Sequence, residues 1–352
     1  MIRVLIVDDS AFFRKLLKDV LERDEEIVVI GEAKNGKEAL QKIPLLKPDI
    51  ITLDIEMPFM DGITTLKHIA KDYNIPVVML SSFTTADAAM TIKALEEGAV
   101  DFIPKPNNIF NIKAEDLRLQ IIDKIKVAAK CKLCNKHYGV YKRKEIKTSK
   151  IKKLTPVAGD VDFEYIIAIG TSTGGPRALQ EVIPALPENI NGSILIVQHM
   201  PPKFTKSLAD RLNSLSEIHV KEGEEGDKLH RGWCYIAPGG FHMKVVKERQ
   251  DFIIKLDKGA PIKGLRPSVD VLMESVAEIE GIRKLGVIMT GMGSDGANGI
   301  VKMKEADGYV LAQDEETSTV FGMPKAAIRT NCVDKIVPLS EIANEIIRVV
   351  GV

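Results

Sequence analysis

The sequence has few cysteines, no excess of charge of either sign and no long apolar run. Four cysteines in 352 residues are too few for a disulfide framework. Lysine plus arginine equals aspartate plus glutamate, at 49 each, so no global charge indicates nucleic acid or a membrane surface as a partner. No apolar run approaches the ~18 residues that span a bilayer, and the chain begins with a strand pattern instead of a secretory leader. We therefore expect a cytoplasmic protein that neither binds nucleic acid nor inserts into a membrane.

The length and patterning of the chain predict two domains. With 45% apolar and 28% charged residues, 352 residues supply enough material for two hydrophobic cores. Between Asp123 and Lys153, twelve basic residues face two acidic ones, which is typical of a solvated linker. We predict domains over 1–122 and 159–352, joined by a basic linker over 123–158.

Both domains alternate short Val/Ile-rich runs with amphipathic stretches, which predicts α/β folds with doubly wound, mostly parallel sheets. A hairpin is predicted over Phe241–Leu256. The candidate strands of the first domain are Ile2–Val7, Ile27–Ile30, Ile50–Leu53, Val77–Leu80 and Ala99–Ile103. Those of the second domain are Tyr165–Ile169, Ile194–Val197, Trp233–Ala237, Lys284–Thr290 and Tyr309–Ala312. Candidate helices there are Ala178–Ile183, Phe204–Leu215 and Ala297–Glu305.

Polar side chains follow the strands of the first domain. Asp8 and Asp9 end the first strand and Asp54 ends the third, so their carboxylates should meet at the carboxyl edge of the sheet. Carboxylates with one backbone carbonyl form an oxygen site suited to Mg²⁺. Ser81 ends the fourth strand and Lys105 follows the fifth. A hydroxyl and an ammonium beside such a cluster suit a phosphoryl group carried on an aspartate.

Together with Asp54-x-x-Met57-Pro58-x-x-Asp61-Gly62 and Lys105-Pro106, these residues resemble the response-regulator receiver family over the whole first domain. The resemblance implies a flavodoxin-like fold with five parallel strands, in which a histidine kinase phosphorylates Asp54. It places an aromatic switch at Phe102. The implied Mg²⁺ ligands are Asp8, Asp9, Asp54 and the backbone carbonyl of Glu56, and the implied phosphoryl contacts are Ser81 and Lys105.

A loop rich in glycine and threonine, Gly170-Thr171-Ser172-Thr173-Gly174-Gly175, joins a strand to a helix in the second domain. It satisfies G-x-S-x-G, the pattern that lifts a nucleophilic serine above a sheet. A loop at a helix N-terminus also cradles phosphate groups. The loop alone therefore leaves a hydrolase and a nucleotide-binding enzyme open.

A histidine and an aspartate favour the hydrolase. His199 follows Ile194–Val197 and Asp295 follows Lys284–Thr290, so both should reach the sheet edge that carries Ser172. The order Ser…His…Asp differs from that of α/β-hydrolases, which argues against that fold and not against the chemistry. His242 is the competing base, but the strand-end position of His199 suits general-base geometry better.

Several segments resemble the chemotaxis protein-glutamate methylesterase family, CheB, over Phe163–Val350. The resemblance implies that Ser172 attacks methylated glutamates of chemotaxis receptors, with His199 as base and Asp295 as orienting acid. It implies that methanol leaves and that receptor glutamines are deamidated by the same steps. The segments are Gly170–Gly175, Gln198–Pro202, Tyr235–Gly239, Arg266–Asp270, Gly291–Gly296 and Phe321–Pro324.

Two positions depart from the family pattern, Thr171 inside the segment Gly170–Gly175 and Gly240 directly after Tyr235–Gly239, and Gly240 leaves the shape of the substrate cleft open. The resemblance also implies oxyanion or substrate contacts at Met292 and Thr173. No cofactor is expected for ester hydrolysis.

Because the acidic cluster of the first domain has no part in ester hydrolysis, we expect the unphosphorylated first domain to repress the second and phosphorylation to relieve the repression.

The remaining alternatives have weaker support. Neither G-x-G-x-x-G nor G-x-x-x-x-G-K-[ST] is present, which disfavours nucleotide binding. A DNA-binding response regulator needs a small basic module, whereas the second domain is large and carries acids throughout. Cys131-x-x-Cys134-x-x-His137 offers zinc-type ligands without an evident fourth, so we expect free linker thiols.

Overall fold

A computed structural model describes residues 1–82, 84–105, 115–131 and 162–352, with the backbone alone for 115–117. The chain divides into two compact units, Met1–His137 and Tyr138–Val352. Of the candidate zinc ligands, Cys134 and His137 lie outside the described residues. Burial raises the pKa of the Cys131 thiol to about 12, so this thiol is protonated at neutral pH.

The first unit is a five-stranded parallel sheet in the order β2-β1-β3-β4-β5. The strands are β1 Ile2–Val7, β2 Ile27–Ala33, β3 Ile50–Asp54, β4 Val77–Ser81 and β5 Asp101–Pro104. The helices are α1 Ala11–Leu21, α2 Gly36–Leu46, α3 Gly62–Asp72, α4 Thr85–Glu96 and α5 Glu115–Ala129. The flavodoxin-like prediction is confirmed, although β5 begins at Asp101 and not at Ala99.

Helix starts in this unit are fixed by side-chain caps. The Ser10 hydroxyl accepts from Phe13 N, and the Asp61 carboxylate accepts from Thr64 N at 2.8 Å. Ser10 therefore caps α1, whereas Asp8 is buried at the end of β1. Parallel pairing of β1 with β3 and of β3 with β4 places the carboxyl ends of these three strands side by side.

The second unit is built on a seven-stranded sheet in the order β14-β13-β12-β6-β7-β9-β8. Every strand pair in it is parallel, which confirms the predicted class. Its strands are β6 Tyr165–Thr171, β7 Gly192–Gln198, β8 His219–Glu222, β9 Trp233–Ile236, β12 Arg283–Ile288, β13 Tyr309–Gln313 and β14 Lys335–Val337. Its helices are α6 Gly175–Val182, α7 Phe204–Leu215, α8 Val269–Ala277, α9 Ala297–Glu305, α10 Met323–Arg329 and α11 Leu339–Val350.

The predicted hairpin forms from β10 His242–Glu248 and β11 Asp251–Asp257, with Glu248 opposite Asp251. Two strands were missed, β8 and β14, which are the short edge strands of the sheet. Three predicted boundaries were wrong by two or more residues at the site: β6 ends at Thr171 and not at Ile169, α6 begins at Gly175 and not at Ala178, and β12 ends at Ile288 and not at Thr290. No described helix has the length and apolar character needed to cross a bilayer.

Candidate active site

Ser172 lies in the turn between β6 and α6. Gly174 has φ 79°, a left-handed conformation that glycine adopts without strain, so the chain turns sharply into the helix. Ser172 N donates to Thr290 O at 3.0 Å, and Gln198 Nε2 donates to Ser172 O at 2.9 Å. The peptide groups of the serine are thus bonded to two neighbouring strand ends, and its side chain is half-buried.

His199 emerges beside the serine. Thr171 and Gln198 are register partners in the β6–β7 pair, so Ser172 and His199 are each the next residue along adjacent strands. His199 N also donates to Thr171 O at 3.2 Å. The sequence-based expectation that serine and histidine share one sheet edge agrees with this geometry.

Asp295 pairs with the same histidine. Its Oδ2 lies 2.7 Å from His199 Nε2, and the two side chains are only 4% and 7% exposed. Because Nε2 bears the proton that a carboxylate accepts, Nδ1 is the nitrogen that remains as a base. The aspartate thus fixes the tautomer, with the ring nitrogens in the opposite roles to those of the serine-protease template.

The Asp295 carboxylate is held by a cradle at the start of α8. It accepts from Ser268 Oγ at 2.8 Å, from Val269 N at 2.6 Å and from Asp270 N at 3.1 Å. Burial by itself would raise its pKa, but the bonds from His199, Val269 and Asp270 outweigh burial and lower the pKa to about 2. Asp295 is therefore a fixed negative charge at neutral pH.

Asp295 should stabilise the folded protein at neutral pH and lose that effect in acid. Its folded pKa is lowered from 3.8 to about 2, so its contribution is full above roughly pH 4 and disappears as the pH falls through the folded pKa. A difference of this size corresponds to about 2 kcal/mol. We expect the difference between the unfolding free energies of wild type and Asp295→Asn to narrow progressively as the pH falls from about 5 to about 1 in urea titrations. A gap that stayed constant over this range would contradict the assignment.

The predicted oxyanion residues lie next to the serine. A side-chain carbon at Gly291 would lie 2.8 Å from Ser172 Cβ, so the loop that carries Met292 packs directly on Ser172. Within the part of the chain that the structure describes, no acceptor is bonded to Met292 N. Thr173 follows Ser172, is 6% exposed, and accepts from Thr290 Oγ1 through its carbonyl. Their roles stay predictions.

His242 lies at the start of the hairpin, and its Nε2 is 3.1 Å from Ala260 O. That contact joins it to the loop after β11 and not to Ser172, His199 or Asp295. Several residues that orient the site were missed by sequence reasoning, because their hydrogen bonds join distant parts of the chain. They are Gln198, Ser268, Asp270, Thr290 and Gln313.

The carboxylates of the first unit also converge. Ligand atoms of Asp8, Asp9 and Asp54 all lie within 4.8 Å of one another. Lys105 Nζ lies 2.7 Å from Asp8 Oδ2 and 2.8 Å from Asp54 Oδ2. Burial, followed by the charge of Asp8, raises the pKa of Asp54 to about 6, and Lys105 only partly opposes this.

This cluster fits Mg²⁺. It offers hard carboxylate oxygens, and Asp9 is exposed to solvent, which lets the ion keep water ligands. The negative charge concentrated on buried Asp8 and Asp54 is what a divalent ion would neutralise.

Mg²⁺ should therefore stabilise the first unit. At about 100 times its Kd, a ligand that binds only the folded state adds about 2.7 kcal/mol. We expect Mg²⁺ to raise the unfolding temperature of the wild type, and Asp54→Ala to reduce that increase. The control is Asp72→Ala, which removes an exposed carboxylate at the end of α3. An equal rise in unfolding temperature on adding Mg²⁺ in both variants would contradict the assignment of Asp54 to the Mg²⁺ site.

The other predicted phosphoryl-site residues occupy the same sheet edge. Ser81 is buried, and its Oγ accepts from Thr91 Oγ1 at 2.6 Å. Phe102 is 2% exposed, with Lys124 Nζ 5.2 Å from its ring centre. Glu56 is exposed in the turn after β3. Their assignment to phosphoryl contact, switching and Mg²⁺ binding stays a prediction.

Comparisons with known proteins cover the same two regions. Residues 167–346 match the family model of the CheB methylesterase, and residues 4–115 match that of the response regulator receiver domain. The protein-glutamate methylesterase/protein-glutamine glutaminase of Pyrococcus abyssi is 48% identical over 99% of this chain and 94% of its own. That of Bacillus subtilis is 44% identical over 98% of each.

A solved structure gives the same result. The crystal structure of the Thermotoga maritima CheB methylesterase catalytic domain is 45% identical, with a TM-score of 0.52, and covers 54% of this chain and 100% of its own. On the family matches and on relatives of nearly equal length, this chain belongs to the CheB methylesterase family and carries an N-terminal response regulator receiver domain.

Proposed function

We propose that this protein is a phosphorylation-activated serine hydrolase that demethylates glutamate methyl esters on chemotaxis receptors and deamidates receptor glutamines. The supporting observation is the His199–Asp295 pair, 2.7 Å apart, at the sheet edge where Ser172 turns into α6. Relatives that share the full length of the chain carry both activities in their names.

The reaction follows from the three side chains. His199 Nδ1 takes the proton of Ser172 Oγ as the oxygen attacks the γ-carbonyl of the substrate. Asp295 keeps the Nε2 proton in place and stabilises the imidazolium. The oxyanion accepts from Met292 N, and one such donor contributes about 3 kcal/mol.

The second half of the reaction restores the enzyme. His199 gives its proton to the leaving group, which departs as methanol from an ester or as ammonia from a glutamine amide. Water then attacks the acyl-enzyme with His199 again as base, and the products are glutamate and free Ser172.

Covalent labelling distinguishes this function from nucleotide binding. A fluorophosphonate probe should label Ser172 in the folded protein, and labelling should fall with substitution of His199, which activates the nucleophile. Peptide mass mapping identifies the labelled residue. Labelling at another serine, or protection by nucleotides and not by methylated receptor, would favour the phosphate-loop interpretation.

Regulation is proposed to act through Asp54, phosphorylated by a chemotaxis histidine kinase. Asp54 is 5% exposed beside Lys105, whose ammonium lies within 2.8 Å of the carboxylate and can neutralise phosphoryl charge. When bound, Mg²⁺ would add charge neutralisation at the ligands Asp8, Asp9 and Asp54. Ser81 is proposed to contact the phosphoryl group and Phe102 to respond to it.

Activation should depend on Asp54. We expect a small-molecule phosphodonor to accelerate methanol release by the wild type and by Asp72→Ala, but not by Asp54→Ala. A fragment that begins near Gly159 should release methanol faster than the unphosphorylated full chain. The reason is that a repressing contribution of a few kcal/mol keeps about 99% of the full-length molecules inactive. If the fragment releases methanol no faster than the unphosphorylated full chain, repression is contradicted, and phosphorylation must instead activate the second domain directly.

A further inference from the structure

Thr290, just beyond β12, is hydrogen-bonded to three consecutive residues of the serine loop, Thr171, Ser172 and Thr173. Its carbonyl oxygen accepts from Ser172 N at 3.0 Å and from Thr171 Oγ1 at 2.8 Å. Its hydroxyl donates to Thr173 O at 3.0 Å. Thr290 is 1% exposed, so these bonds form away from solvent and without competition from water.

Thr290 is itself held from the opposite side. Its N–H donates to Gln313 Oε1 at 2.8 Å, and Gln313 Nε2 donates to Thr317 O at 2.9 Å. The hydroxyl accepts from Val320 N at 3.0 Å, while Val320 O is farther away, at 3.4 Å. The single hydroxyl proton is therefore best placed on Thr173 O, at 3.0 Å.

A side-chain substitution at Thr290 removes the hydrogen bond from its hydroxyl to Thr173 O. The bonds to Ser172 N and Thr171 Oγ1 use the Thr290 main chain and survive any substitution. After Thr173 comes Gly174 with φ 79°, which has no side chain to restrain the peptide that carries Thr173 O.

We propose that Thr290 is a positioning residue, whose hydroxyl fixes the direction of Ser172 Oγ relative to His199. The proposal rests on the proposed function of Ser172 as nucleophile. Thr290 also lies two residues before Met292, so one residue joins the nucleophile loop to the loop proposed to bind the oxyanion. Loss of the hydroxyl would make the spacing between these two loops less fixed, and it would remove no contact with the substrate.

The test compares Thr290→Val with Thr290→Ser. Valine keeps the branched shape and removes the hydroxyl, so we expect kcat to fall roughly 10- to 100-fold, since misplacement of about 1 Å costs about 100-fold. KM for methylated receptor should stay unchanged, because no substrate contact is lost. Serine keeps the hydroxyl and should restore most of kcat. The rate of fluorophosphonate labelling should follow the same order.

A matched control separates positioning from stability. The Thr330 hydroxyl also donates to a main-chain carbonyl, Ala327 O at 2.6 Å, and accepts from a main-chain N–H, that of Cys332 at 3.2 Å. We expect Thr330→Val to lose thermal stability and to keep kcat. If Thr290→Val does not fold, Thr290→Ala provides the same comparison with serine.

The outcomes are distinct. Wild-type kcat in Thr290→Val, an equal loss of kcat in Thr290→Ser, or a similar loss in Thr330→Val would overturn the positioning role. Methanol release that persists in Ser172→Ala would instead overturn the proposed function. A low kcat in Thr290→Val, rescued by serine and absent from the Thr330 control, would support the proposal.

Discussion

Replacing Ser172 by alanine should reduce methanol release from methylated receptor by on the order of 10⁶-fold, because no other group can form the acyl-enzyme. The half-buried hydroxyl contributes little to folding, since the bonds that hold this residue use its main-chain N–H and carbonyl. The thermal unfolding midpoint should therefore stay near that of the wild type.

A neighbouring serine provides the control for this experiment. Ser294 is exposed in the loop that carries Asp295, and Ser294→Ala should keep wild-type activity. More than trace hydrolysis by purified Ser172→Ala, measured by methanol release and by loss of fluorophosphonate labelling, would show that another residue is the nucleophile.

Asp295→Asn should reduce kcat by roughly 10⁴-fold, a smaller loss than that of the serine or the histidine, because its role is orientation. The structure adds a reason for a large effect. The carboxylate accepts from Ser268 Oγ, from Val269 N and from His199 Nε2. An amide nitrogen in this cradle would face a donor, leaving that donor unpaired or reversing the imidazole tautomer.

The expected cost to stability is about 1–3 kcal/mol, the usual penalty for an unsatisfied buried donor. A suitable control is Asp334→Asn, because that carboxylate accepts from Val310 N at 2.8 Å without contacting the site. We expect the control to keep kcat, measured by methanol release, while both variants lose stability in urea titrations. A folded Asp295→Asn protein as inactive as Ser172→Ala would show that Asp295 takes a direct part in proton transfer.

Much of the fold follows from local sequence patterns. Strand β1, helix α7 and helix α9 have the predicted bounds, because a continuous apolar run marks a strand buried on both faces and apolar periodicity marks the buried face of a helix. The edge strands β8 and β14 lack this signal. They are short, and His219 and Lys335 at their starts are exposed, so pairing with a neighbouring strand defines them more than burial does.

For the candidate site, too, the sequence predicts one part and the tertiary structure decides another. The sequence by itself places Ser172, His199 and Asp295 after strands, and parallel strands must end at a common edge, so their convergence was predictable. Only the tertiary structure decides which imidazole nitrogen faces Asp295, and only it shows that Thr290 bonds to three consecutive residues of the serine loop. These bonds join residues roughly a hundred positions apart, and their geometry depends on how strand ends and loops pack, which no local periodicity records.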